Sequence, residues 1–445
     1  MKNYNWRFLI LVSLVSAMGG YLFGFDFAVI TGSLPFLREQ FGLNEYWVGF
    51  TTGSLALGCI VGCLIAGPLS EKYGRKFGLM ISASVFCVSS LFMAISPGFT
   101  FLIFARFAAG IGVGMASMLS PMYIAEISPA EVRGRMVAIN QFTIVLGQVV
   151  THYENFLLRD NGPGVWRWMF GLGVIPSLLF FVGVFFLPES PRWLFRKGLV
   201  DECRKVLLKI GTVDFVDKTL AAISKTGIAE TKVNFRVLLQ KSILPIVLIG
   251  MGLAAFQQFC GINVVFNYTT NIFSAIGASK NEQLLQAVWI SIANLLFTLV
   301  AMLLVDKWGR RPLMLLGAGG LAIVYVIIGS LLYTGSSHGL AAFIILAIGI
   351  YAMSLAPLTW VLISEIFPNN VRGMATSISV LSLWASYFIL VFTFPIIEKK
   401  YGDAAVFWGY AVICLIGFVF IYYKIKETKG KSLEEIENDF SIIKH

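Results

Sequence analysis

The feature that most constrains this chain is a series of twelve apolar stretches, most of them twenty residues or longer. They fall at residues 8–34, 47–69, 77–95, 100–125, 137–158 and 167–187, then at 241–274, 283–305, 313–333, 339–363, 374–397 and 404–424. A bilayer core offers no water to backbone N–H and C=O groups, so spans of this length must close their hydrogen bonds internally, as helices. The 445 residues are 57% hydrophobic and 13% charged, about half the ~25% charge of a soluble chain. The expected fold is an all-α membrane protein of twelve transmembrane helices. Lys2 and Arg7 precede the first stretch as in a signal peptide. The run continues past residue 30 with no small-residue cleavage pattern, and reads as a retained first helix.

The net charge of +10 raises the question of nucleic acid. The basic residues, however, sit in loops between apolar stretches, as the positive-inside rule places them. That distribution puts both termini in the cytoplasm, with the chain multi-pass in the plasma membrane (the inner membrane of a two-membrane cell), among lipids and away from nucleic acid. Cys59, Cys63, Cys87, Cys260 and Cys414 lie in apolar stretches and Cys203 in a basic loop, giving neither a disulfide framework nor a metal spacing. Three histidines are too few for an imidazole metal site. There is no nucleophile–base constellation, which argues against an enzyme, and no cofactor motif. Gly110, Gly112 and Gly114 mimic a dinucleotide loop faintly but lie in an apolar helix, where small residues serve packing. Without a nucleotide-binding loop, any active transport has to draw on an ion gradient.

Three patterns recur in order, at nearly one separation along the chain. Gly74-Arg75-Lys76 is echoed by Gly309-Arg310-Arg311. Glu126-Ile-Ser-Pro-Ala-Glu-Val-Arg133-Gly134 is echoed by Glu365-Ile-Phe-Pro-Asn-Asn-Val-Arg372-Gly373, and Glu189-Ser190 by Glu427-Thr428. This indicates a duplicated six-helix unit. The expected division is 1–194 for the first bundle and 195–240 for a cytoplasmic stretch of short amphipathic helices that includes Lys225. The second bundle follows at 241–424, then a tail at 425–445. The repeated charges suggest two gate clusters: Arg75, Glu126, Arg133 and Glu189 in one half, Arg310, Glu365, Arg372 and Glu427 in the other. Helix capping is the alternative for Glu126.

The seventh stretch contains Gln257-Gln258-Phe259-Cys260-Gly261-Ile262-Asn263, with Asn267 beyond. A buried amide without a partner costs about 1–3 kcal/mol, so these groups should face a bundle interior or a wet cavity. On a regular helix Gln257 lies about 120° from Asn263. The amides converge best if the helix bends near Gly261, as helices do at transporter binding sites. A neutral polyhydroxylated ligand suits them; amide contacts between helices are the alternative. Asp26 in the first stretch and Arg106 in the fourth are charges deep in apolar sequence, and mutual pairing is the economical solution.

These motifs together resemble the sugar porter branch of the major facilitator superfamily, which includes animal glucose transporters and bacterial xylose–proton symporters. The pieces that carry the resemblance are Gly74-Arg75-Lys76, Glu126 with Arg133-Gly134, and Pro188-Glu189-Ser190-Pro191-Arg192. To these are added Gln257-Gln258 to Asn263, Asp306-Lys-Trp-Gly-Arg-Arg311, and Glu365 with Arg372-Gly373. The resemblance implies a sugar site of Gln141, Gln257, Gln258, Asn263, Asn294 and Trp360, with Trp384 as a further aromatic wall. It implies a proton-coupling role for Asp26, since proton-coupled members carry an aspartate there and facilitative animal carriers do not.

Departures are Asn267 for the first of two tyrosines, Ala356 for a glycine, Leu383 for a polar side chain, and Gly173 where the xylose symporter has a glutamate. The site should be one hydrogen bond poorer on the side of the eleventh helix. Glu154, near His152, either substitutes for the missing glutamate or is solvated at the outer mouth. The reading is a monomeric monosaccharide carrier for a hexose or pentose, coupled to protons and working by alternating access. A facilitative uniporter and a membrane sugar sensor are the alternatives.

Overall fold

The computed structural model describes residues 4–129, 131–227, 235–336, 338–368 and 371–429. Ala130, residues 228–234 of the middle stretch, Asn369, Asn370 and the tail from Gly430 lie outside the described residues, as do the side chains of Lys225, Asp306 and Lys307.

The described residues form helices and no strand. The first are α1 (Trp6–Phe41), α2 (Glu45–Tyr73), α3 (Arg75–Ala94), α4 (Phe99–Ile127) and α5 (Arg133–Leu158). The sixth span is broken into α6 (Trp166–Gly171) and α7 (Val174–Phe186). Short helices α8 (Pro191–Arg196), α9 (Val200–Ile210) and α10 (Val213–Gly227) follow. The seventh span comes in three pieces, α11 (Leu244–Phe259), α12 (Ile262–Asn267) and α13 (Thr269–Ala275). After α14 (Lys280–Trp308) and α15 (Arg310–Tyr333), the tenth span is split into α16 (Leu340–Met353) and α17 (Leu355–Glu365). The last two are α18 (Arg372–Tyr401) and α19 (Asp403–Lys424).

Among the described residues, eleven spans are long and apolar enough to cross a membrane, and α5 is not among them despite its 26 residues. The reason is composition: α5 carries Asn140, Gln141, Thr143, Gln148, Thr151, His152, Glu154 and Asn155. Most of these are buried rather than turned to lipid. Thr143 Oγ1 donates to the Ala17 carbonyl at 2.7 Å, and Asn155 Nδ2 to the Ala28 carbonyl at 3.0 Å. Elsewhere large apolar side chains face outward, with Phe104 69% and Phe186 78% exposed, which water would not tolerate on this scale and lipid does.

Backbone contacts gather the chain into two compact units. One comprises Met1–Asp26, Gly58–Gly147 and Phe170–Val233; the other comprises Phe27–Leu57, Gln148–Met169 and Asn234–His445.

In the first unit α3 packs on α4 and α7. Helices α2 and α4 touch backbone to backbone. A Cβ on Gly58 would stand 2.0 Å from Phe107 O, one on Gly62 2.3 Å from Ile111 O, and one on Gly114 2.4 Å from Cys59 O. Small residues four apart permit this approach, so the glycines of α4 serve packing. The amphipathic α9 buries Cys203, Val206, Leu207 and Ile210. The N-terminus is tied to this region, with Asn5 N donating to Ile210 O at 2.9 Å and the Tyr4 ring edge-on to Phe215 at 5.4 Å.

In the second unit α15 packs on α19, α11 on α18, and α14 on α16. The segment Phe27–Leu57 joins them: Thr31 Oγ1 donates to Phe266 O at 2.9 Å, and the Phe27 ring lies 5.0 Å from Tyr387. At the end bearing Gly42 and Gly277, Lys280 pairs with Glu39 at 2.9 Å and Lys399 with Glu45 at 2.8 Å. Arg38, Glu39, Asn271, Gln283 and Glu398 line a cavity of about 530 Å³ at this end, away from the amides of α11 and α12.

Candidate functional site

The bend near Gly261 is present, and its cause is local. Gly261 adopts φ 86° and ψ −5°, a left-handed conformation that costs other residues about 1–2 kcal/mol. A Cβ there would also stand 2.5 Å from the Tyr410 ring. Replacing Gly261 with alanine is therefore expected to cost about 2–5 kcal/mol, from backbone strain and overpacking together. Thermal unfolding of the purified variant checks this, and an unchanged melting temperature would refute it.

The break rearranges the amides. Residues five apart on a continuous helix point about 140° from one another, yet Asn263 Nδ2 donates to Gln258 Oε1. Gln258 Nε2 reaches Gln257 Oε1 at 3.4 Å, and Gln257 Nε2 donates to Leu355 O at 3.2 Å and Ala356 O at 3.1 Å. Those carbonyls begin α17, just past Ser354, where φ −130° and ψ −87° interrupt the tenth span. The broken seventh and tenth spans are thus joined by a chain of buried amides. Asn267 Nδ2 donates to Asn263 O at 2.7 Å and to the Tyr387 hydroxyl at 2.9 Å, and Asn294 Nδ2 to Gln148 Oε1 at 2.9 Å.

Each amide keeps donors or acceptors beyond those used here, which is what hydroxyl groups of a sugar need. Trp360 is 38% exposed, four residues beyond Ala356, while Trp384 is 2% exposed with its ring edge-on to Tyr387 at 5.9 Å. Leu383 is buried. Gln141, in the first unit, is half-buried and forms no hydrogen bond among the described residues.

Sequence reasoning missed Gln148, Tyr387 and the interruption at Ser354. Gln148 carried a signal, being a second glutamine two turns beyond Gln141 on one helix.

The intramembrane charges meet. Arg106 Nη2 lies 3.3 Å from Asp26 Oδ2, with both side chains 0% exposed, and the Arg106 guanidinium sits 5.4 Å from the Phe170 ring centroid. Asp26 Oδ1 has no hydrogen-bond partner among the described residues, so one oxygen is left to take a proton. Gly173 is pressed against this region: a Cβ would stand 2.7 Å from Phe25 Cε1 and 2.9 Å from Ser90 Oγ. A glutamate would not fit there without displacing the Phe25 ring. Glu154 is half-buried and His152 buried, in α5.

The repeated loop charges form matching arrangements within each unit. In the first, Arg75 pairs with Glu126 at 3.1 Å, Ser190 Oγ donates to Glu126, and Glu189 Oε1 accepts the backbone N–H groups of Arg75 at 2.8 Å and Lys76 at 3.2 Å. In the second, Arg310 lies 3.7 Å from Glu365, Thr428 Oγ1 donates to Glu365 at 2.6 Å, and Glu427 accepts from Arg310 N at 2.9 Å and Arg311 N at 3.0 Å. Even the flanking cations agree, with Lys76 Nζ donating to Phe185 O at 2.7 Å and Arg311 Nη2 to Tyr422 O at 2.8 Å. Ser190 and Thr428, which follow Glu189 and Glu427 directly, complete these clusters beyond the charges that the repeat suggests.

The two capping carboxylates titrate differently. Burial pushes Glu189 up despite three backbone N–H groups and the Arg75 charge. Burial also acts on Glu427, but its backbone N–H partners outweigh it and hold the carboxyl below its ordinary value. Arg133 stands apart from the carboxylates expected to hold it. Arg133 forms no ion pair among the described residues, and Arg372 turns its guanidinium to Phe367 O, with bonds of 3.2 and 3.0 Å.

Comparison with known proteins agrees with this anatomy. The family model described as "Sugar (and other) transporter" matches residues 12–440. The D-xylose-proton symporter of Escherichia coli (strain K12) is 36% identical, covering 98% of this chain and 96% of that protein. The arabinose-proton symporter of Bacillus subtilis (strain 168) is 34% identical, covering 98% and 96%. Among solved structures, a proton:xylose symporter of the major facilitator superfamily bound to 6-bromo-6-deoxy-D-glucose superposes with a TM-score of 0.85, at 34% identity, over 98% of this chain and 100% of that one. With its polar fifth helix, its broken seventh and tenth spans and its twice-built loop clusters, this chain belongs to the sugar transporter family of the major facilitator superfamily.

Proposed function

We propose that this chain carries a monosaccharide, a hexose or a pentose, across the plasma membrane together with a proton. The observation that carries the reading is the buried amide chain from Asn263 through Gln258 and Gln257 to the carbonyls of Leu355 and Ala356. It is a buried polar track, chemically matched to hydroxyls. Relatives named for xylose–proton and arabinose–proton symport support it. In this reading Gln141, Gln257, Gln258, Asn263, Asn294 and Trp360 hold the sugar, with Gln148 added and Trp384 as a wall behind Tyr387. Asp26 takes the proton, and Arg106 is its counter-charge. The carrier is a monomer with both termini cytoplasmic, and the halves 1–194 and 241–424 rock about the sugar.

Counterflow in proteoliposomes tests it, with a panel of hexoses and pentoses, with and without a pH gradient. Saturable exchange of one sugar, with uphill accumulation when the gradient is present, is the expected result. Exchange indifferent to the gradient would select a uniporter, and binding without flux a sensor.

In the same reading Arg75, Glu126, Arg133 and Glu189, with Arg310, Glu365, Arg372 and Glu427, bias the cytoplasmic gate. Neutralising Glu365 or Arg372 is expected to favour the inward-open state by about 1 kcal/mol, the scale of an exposed pair or a small network. This reads out as faster labelling of cysteines introduced on the cytoplasmic side. Unchanged labelling would remove these residues from the gate.

A further inference from the structure

A second cavity, of about 340 Å³, lies in the first unit where α4, α5, α8 and α10 meet, and nothing in the transport reading uses it. Its charged lining is Glu126, Glu131, Arg133, Arg192, Asp214 and Lys218. Each carboxylate has a partner, a cation for Glu126 and Asp214 and a neutral hydroxyl for Glu131. Glu126 is held by Arg75 and Ser190, Glu131 accepts from the Tyr4 hydroxyl at 2.7 Å, and Asp214 pairs with Lys218 at 2.8 Å. The two arginines do not: neither Arg133 nor Arg192 has a hydrogen bond or ion pair among the described residues, and the Arg133 Nε is buried. Both arginines line the one cavity.

A separate observation points the same way. Ser128, 4% exposed, lines the cavity with a buried hydroxyl that has no partner. Arg133, half-buried, and Ser128, buried, thus present unmatched donors to one hollow, and Arg192, exposed to solvent, lines it with a second guanidinium. Guanidinium groups present donors in the fork geometry that phosphate oxygens accept, and the volume suits a small metabolite.

We propose that this cavity binds a phosphate monoester, with Arg133 and Arg192 on the phosphate oxygens and the Ser128 hydroxyl as a further donor. The same chemistry is offered by a soluble sugar phosphate and by the headgroup of phosphatidic acid, and the test separates them.

The full chain is purified and placed in nanodiscs of zwitterionic lipid, and inorganic phosphate and a hexose 6-phosphate are titrated by calorimetry. A parallel set of nanodiscs contains phosphatidic acid, whose retention is read by native mass spectrometry. Saturable binding of a soluble phosphate, weakened about tenfold or more in Arg192→Gln and in Ser128→Ala, supports the site with a soluble ligand. Retention of phosphatidic acid that is lost in the same variants supports it with a lipid ligand. Sugar counterflow by both variants confirms that they fold, and a thermal melt serves where counterflow is low. Absence of both kinds of binding, or binding unaltered in both folded variants, overturns the proposal. The readout is binding rather than transport, so it stands or falls separately from the sugar-carrier reading.

Discussion

Asp26→Asn is expected to abolish uphill accumulation of sugar while leaving counterflow intact. Moving one charge through about 100 mV is worth roughly 2.3 kcal/mol, which at about 1.4 kcal/mol per tenfold corresponds to a roughly fiftyfold concentration ratio. Coupling through a single carboxylate makes that whole ratio depend on Asp26, whose Oδ2 faces Arg106 at 3.3 Å and whose Oδ1 is unpartnered. In the variant, accumulation should fall to about unity, since an amide takes up no proton at working pH. The substitution also leaves Arg106 buried without its counter-charge, and breaking such a pair costs about 3–5 kcal/mol. The double variant Asp26→Asn with Arg106→Gln removes both charges and separates loss of coupling from loss of folding. Accumulation that persists in Asp26→Asn, and still varies with pH, would place the proton elsewhere.

Gln257→Ala is the second large effect. The side chain links the two broken spans, donating to Leu355 O and Ala356 O and accepting from Gln258. In the proposed reading its loss removes a ligand to the sugar, and it leaves the Gln258 amide without its acceptor, a buried donor worth about 1–3 kcal/mol when unsatisfied; Leu355 O keeps the Thr359 hydroxyl as a donor. The expected result is sugar affinity weaker by about ten- to a hundredfold, measured by tryptophan fluorescence, with Trp360 as the reporter. The same measurement on Trp360→Phe identifies the signal. Unaltered affinity for every sugar that the wild type carries would show that the amides serve helix packing alone.

Much of this was legible in the sequence because it depends on local pattern. Apolar runs announce spans, and a glycine among amides announces a bend. Two opposite charges in lipid announce each other. The echo between Glu126 and Glu365 announced a duplication that the structure carries down to the cations flanking each cluster. What was not legible depends on tertiary approach. Nothing beside Asn294 says that Gln148 will be its acceptor, whereas the break at Ser354 had a signal in Pro357, whose missing N–H and ring interrupt the turn before it. The span 137–158 was read by its apolar residues, although its buried amides and hydroxyls take it below the hydropathy of the other eleven. Arg133 shares a repeated motif with Glu126, yet the pairing of Glu126 with Arg75 and Ser190 leaves it outside.

The polarity of α5 bears on how the molecule is made. A helix whose amides and hydroxyls find their acceptors on α1, at Ala17 O and Ala28 O, gains little by partitioning into lipid alone. During synthesis it has to wait at the edge of the insertion machinery until an earlier helix is there to receive it. In chains ending just after Leu158, a cysteine placed within α5 should therefore react with a water-soluble maleimide when α1 is replaced by polyleucine, and be protected when α1 is native.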